Sequence, residues 1–164
     1  MRKRKQSHSL NEQFPVSPPC SCEICQSYCQ RPGWWSVEEA AQALQAGYAN
    51  RMMLEISPEH DFGVLSPAFG GCEGRFALQE SAKNGCTFLS NGLCELHESA
   101  LEPLECRFCH HTRVGRGPQC HAALEKDWHT PAGQTLVENW ARSQHLWETY
   151  CKITGKDPAS PPQH

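Results

Sequence analysis

Eleven cysteines stand in 164 residues, and their spacing is the chemistry this chain offers. Cys20, Cys22, Cys25 and Cys29 open the series, Cys72, Cys86, Cys94, Cys106, Cys109 and Cys120 follow, and Cys151 stands alone near the end. In Cys22-x2-Cys25-x3-Cys29, two intervening residues let neighbouring thiolates reach one ion while backbone N–H groups of the turn point at the sulfurs. Zinc sites and iron–sulfur clusters both use this unit, and soft thiolate ligands suit both. The second block, Cys86, Cys94, Cys106 and Cys109, has longer gaps, so it closes a site only if the chain folds back on itself. Histidines 97, 110, 111 and 121 lie among these cysteines, and His110 and His111 are the first choices for added ligands or for donors to a sulfur.

Composition agrees with a metal-held fold. Only 38% of residues are hydrophobic by a count that includes the cysteines, and 12 Gly and 12 Pro imply much irregular backbone. Metal-ligand bonds can supply roughly 10 kcal/mol or more of folding free energy at a tight structural site, so the fold is expected to depend on its metal. No apolar signal-peptide stretch follows Met1-Arg2-Lys3-Arg4-Lys5, and no stretch is long and apolar enough to span a membrane. A cytoplasmic location is expected, where clustered cysteines are metal ligands more often than disulfide partners. Without the four charges of Arg2, Lys3, Arg4 and Lys5, the net charge of -3 becomes -7. The acidic body argues against a nucleic-acid partner.

The elements that must position the cysteines are few. Residues 1–19 read as a disordered basic tail, 20–155 as a single cysteine-cluster domain, and 156–164 as a second disordered tail. Ser36 and Glu39 form a capping box, and Val37, Ala40, Ala41 and Leu44 recur at helical spacing, which predicts a helix over 36–46 that stops at Gly47. Trp34 and Trp35 precede it, as core anchors or as a docking surface for a protein partner. Arg51–Ile56 reads equally as strand or helical turn, and 57–92 as loops. Thr130 and Pro131 open a helix of some 20 residues that ends at Gly155, with Cys151 buried on it. The fold class expected is mainly α with extensive irregular loops, a small metal-stabilised cysteine-rich domain.

Three segments resemble a known family. Gly85-Cys86-Thr87-Phe88-Leu89, Gly92-Leu93-Cys94-Glu95-Leu96-His97 and Pro103-Leu104-Glu105-Cys106-Arg107 are similar to the YkgJ-type cysteine-cluster family of zinc- or iron-chelating proteins, over roughly residues 20–110. The resemblance implies Cys22, Cys25, Cys29, Cys86, Cys94 and Cys106 as ligands; the chain lacks the family's adjacent Cys-Cys pair, and its added Cys20, Cys72 and Cys109 either compensate or build a second site. Glu102 stands where the family carries arginine, and Cys109-His110 replaces its aromatic and proline.

Other patterns compete for the same residues. Cys106-Arg107-Phe108-Cys109-His110 fits the c-type haem motif, but haem attachment requires export. Cys106, Cys109, Cys120 and His121 have the spacing of a zinc ribbon. A lone Cys–His nucleophile would leave the clustering unexplained. Nucleotide-binding, zinc-protease and serine-hydrolase signatures are absent. The expected function is metal binding through zinc or an iron–sulfur cluster, with an iron–sulfur oxidoreductase and a zinc-stabilised protein-interaction module as alternatives.

Overall fold

The computed structural model describes residues 9–159 apart from 19, 29–31, 109, 114 and 116. In chain order they form α1 (Leu10–Gln13), α2 (Glu23–Tyr28), α3 (Val37–Gln45), β1 (Met52–Ile56), β2 (Gly63–Pro67), β3 (Leu89–Ser90), β4 (Leu93–Cys94), α4 (Gly117–Trp128), α5 (Pro131–Ser143) and α6 (Trp147–Thr154). Short 3-10 turns fill much of the remainder. Helices dominate and strands are short, as the sequence suggests. Among the described residues no helix is long and apolar enough to cross a membrane.

α3 begins at the capping box read from sequence: Glu39 N–H donates to Ser36 Oγ and Ser36 N–H donates to Glu39 Oε2. Its buried face is Glu39, Ala40 and Ala43, small apart from the carboxylate, so the helix lies close to its neighbours. The ambiguous segment after it is a strand. β1 pairs antiparallel with β2 in the register Met52↔Pro67 to Ile56↔Gly63, which places a fully buried strand inside the stretch expected to be loops. Val64 and Leu65 form too short an apolar run to signal a strand by periodicity, and packing on both faces decides it. Gly63 is required there, because a Cβ would lie 2.8 Å from the Tyr150 ring and 2.9 Å from Leu54.

The main core joins Trp35, Met52, Leu54, Leu65, Phe88, Trp128, Val137, Trp140, Tyr150 and Cys151. Each fully buried large side chain contributes about 1.5–3 kcal/mol relative to exposure. Trp35 is fully buried, its indole N–H donating to the Leu101 carbonyl at 2.8 Å while its own carbonyl accepts from Trp128 Nε1 at 2.8 Å. Half-buried Trp34 donates to Glu55 and packs against the His121 ring. Trp35 is thus a core anchor, one of the two readings of the pair, and Trp34 packs half-buried beside it.

The C-terminal helix is two helices. Thr130 caps α5 by accepting from Gly133 N–H, with Pro131 in the first turn, and Gly155 at φ 72 ends α6 as expected. Between them His145 adopts φ 60, a left-handed corner that folds α6 back so that Tyr150 and Cys151 reach the core. α4 has no counterpart in the sequence reading. Its buried face is the single stripe Cys120, Leu124 and Trp128, and Pro118 sits in its first turn, where proline is tolerated.

Residues 9–18, read as tail, lie on the body: Leu10 and Phe14 pack against a second cluster of Leu104, Cys120 and Leu124. The basic tip at 2–5 and the end from 160 lie outside the described residues.

Candidate metal centre

Cys22 precedes α2, and its carbonyl accepts the N–H of Gln26 at 3.0 Å, so the cysteine sits at the helix start. Its sulfur accepts backbone N–H groups of Cys25 and Ile24; the Cys25 N–H is the main influence drawing the thiol below its ordinary range. Cys25 lies one turn into the helix and is the one buried side chain between residues 21 and 27. Burial pushes its thiol up to about 11, opposed by the His111 N–H, which donates to Cys25 Sγ at 3.3 Å. The sulfurs of Cys20, Cys22 and Cys25 lie within hydrogen-bonding reach of one another.

His111 completes the group from 86 residues away. Its Nδ1 lies 3.4 Å from Cys25 Sγ and 3.6 Å from the sulfurs of both Cys20 and Cys22. The ligand atoms of Cys20, Cys25, His110 and His111 all lie within 4.8 Å of one another, a cysteine and histidine cluster able to hold a metal ion. His110 stacks on His111 at 4.4 Å between ring centroids. Burial, and then the neighbouring His111, lower the pKa of His110, while a hydrogen bond to the Pro18 carbonyl acts the other way. Its Nδ1 faces Thr112 Oγ1 at 2.7 Å and accepts Thr112 N–H at 3.2 Å. Its ring is thus fixed beside the cluster, as the neighbours of metal ligands commonly are.

The second block is placed differently. Cys86 and Cys94 are half-buried against the main core, and Cys106 accepts the Gly33 N–H at 3.1 Å. A Cβ on Gly33 would meet Cys106 N at 2.7 Å, so glycine permits this approach. Cys86 Sγ accepts Phe88 N–H at 3.5 Å, and Cys94 accepts from Leu96 and His97 while burial raises its pKa. Among the described residues these three do not join the Cys20–His111 group. Cys29 and Cys109 lie outside the described residues. Cys72 and Cys120 are buried in separate apolar clusters. Both nitrogens of His121 face carboxylates, Glu105 at 3.1 Å and Glu125 at 3.2 Å, which corrects the ribbon reading for this histidine.

Sequence reasoning picked His110 and His111 but missed what seats them. Glu39, read only as the capping-box partner of Ser36, is buried and accepts Leu104 N–H at 3.0 Å and Arg107 Nη2 at 3.0 Å. Arg107 also donates to the Phe14 carbonyl, and Arg113 donates to the carbonyls of Pro15 at 2.7 Å and Val16 at 3.2 Å. Backbone acceptors leave no mark in a sequence, so nothing in the spacing foretold these clamps. Glu102 is buried 3.5 Å from His97 Nδ1, and burial raises its pKa. Comparison of the chain with models of known protein families, with curated proteins and with solved structures gives no match.

Proposed function

We propose that the chain is a metal-binding protein whose site is a single ion held by Cys20, Cys22, Cys25 and Nδ1 of His111, with zinc the preferred occupant. The observation that carries this reading is the 3.4–3.6 Å spacing of one imidazole nitrogen from three sulfurs. A tetrahedral zinc with Zn–S near 2.3 Å and Zn–N near 2.0 Å has S···N edges of about 3.6 Å. Ligands to separate irons of a cluster must stand farther apart than ligands to one ion, so this spacing favours a mononuclear site. Hydrogen bonds from backbone N–H groups to Cys22 and Cys25 suit thiolates. The resemblance to the YkgJ-type family agrees on a cysteine-held metal and on Cys22 and Cys25, while its further ligands Cys86, Cys94 and Cys106 lie outside this group among the described residues.

The test is metal analysis of protein prepared without air, with X-ray absorption to count ligands. The expected result is one zinc per chain with three sulfur and one nitrogen neighbours, lost in Cys25→Ser. A brown protein that bleaches on dithionite would instead support the iron–sulfur electron-transfer reading.

A further inference from the structure

The segment from α1 to α2 forms an arm laid across the body, and its own apolar anchorage is slight. α1 buries no residue, and between 21 and 27 only Cys25 is buried. A six-residue helix has no independent stability in water. Leu10 and Phe14 touch Leu104, Cys120 and Leu124 from a half-buried position. Other ties among the described residues include the buried Ser17 and hydrogen bonds to arm carbonyls: Arg107 to Phe14, Arg113 to Pro15 and Val16, and His110 to Pro18. A bond from a charged donor nets more than a neutral one, but less where water competes, as it does at the exposed Pro15 and Val16 carbonyls. The chemically strong connection available is the group of Cys20, Cys22 and Cys25 around His111.

We propose that a metal ion at this group is the clasp that seats the arm on the face made by α4 and residues 104–113, so that metal loss releases the arm while the core stays folded. The inference rests on the metal reading given above and adds a conformational output to it. Two features make the release local. The main core, from α3 through the β1–β2 pair to α5 and α6, contains none of the four ligands. Among the described residues the arm also contributes none to that core. Binding free energy that orders a segment is returned when the metal leaves, and the segment it orders here is peripheral. The clasp gives the chain two states, with Leu104 and Leu124 covered or opened to solvent.

Hydrogen exchange on the full chain, with zinc and then with excess chelator, tests this. On chelation the amides of α1 and α2 are expected to exchange at least about tenfold faster while those of β1, β2 and α5 keep their protection. Cys22→Ser should give the fast-exchanging arm even with zinc present. Arg113→Ala, which removes the hydrogen bonds to the arm carbonyls of Pro15 and Val16 and one to the Arg107 carbonyl but no ligand, should keep a protected arm when zinc is bound. Stoichiometric zinc binding with unchanged arm exchange would overturn the clasp and leave the metal site standing. Failure to bind zinc would overturn both. Loss of protection throughout the chain would show a metal that supports the whole fold, and an arm freed by Arg113→Ala as fully as by chelation would make arginine the clasp. Either result overturns the proposal.

Discussion

Two regions of this molecule are held by different physics. On one side α3, β1, β2, α5 and α6 enclose tryptophans, methionines, leucines and a tyrosine, with polar groups tied off by local bonds such as Gln134 to Gly63 and to Tyr150. On the other, residues 9–28 and 104–113 meet through arginine-to-carbonyl bonds and a knot of thiols and imidazoles, and Arg107 reaches across to Glu39 of α3 in a buried pair. The first side folds by removing apolar surface from water. The second has little such surface, and its close approach of like polar groups makes sense when a cation sits among them. A low hydrophobic fraction need not mean a weak core throughout: here the apolar residues are concentrated in one half.

The contrast can be broken most forcefully from the apolar side. Trp128→Ala removes a fully buried indole and its bond to Trp35, and should cost about 3–5 kcal/mol; denaturant unfolding that moved by under about 1 kcal/mol would mean the core is not where stability resides. Glu39→Ala comes next, because it strands the buried Arg107 guanidinium and frees the Leu104 N–H. About 3 kcal/mol is expected, read from the thermal midpoint. Since α3 belongs to the core and Arg107 to the other side, this substitution also measures how tightly the halves are coupled.

Smaller effects sharpen the comparison. The Cys25 thiol, pushed up to about 11 by burial, must lose its proton to ligate. Zinc affinity should therefore fall on acidification, about tenfold per pH unit below neutrality for this proton alone. Competition titrations at pH 6 and 7 measure it, and a flat profile would remove Cys25 from the ligand set. Thr130→Ala removes the α5 cap and should cost about 1 kcal/mol with metal content unchanged. Last, His111→Ala in metal-free protein should shift the denaturation midpoint by no more than about 0.5 kcal/mol, since the side chain is exposed.

What could be read from the sequence follows the range of each interaction. Ser36 with Glu39, Thr130 with Pro131, and Gly155 act within one helical turn, and all three did as their chemistry dictates. β2 and the break at His145 depend on distant packing, against Tyr150 in one case and for the sake of Tyr150 in the other, so local pattern missed both. In the site, cysteine spacing marked Cys20, Cys22, Cys25 and Cys29 as one unit, the last outside the described residues, and adjacency to cysteine marked His110 and His111. Their meeting across 86 residues is a tertiary fact. So is the placement of Cys86, Cys94 and Cys106 outside that group among the described residues.

Cys22 and His111 both face solvent, although the sulfur between them is buried. An ion bound there would be open to associative attack: an incoming thiolate or chelator can add from the water side before any protein ligand departs. Exchange with a small carrier would then proceed on a path that avoids unfolding, and the lifetime of the bound ion would depend on the competing ligands in solution.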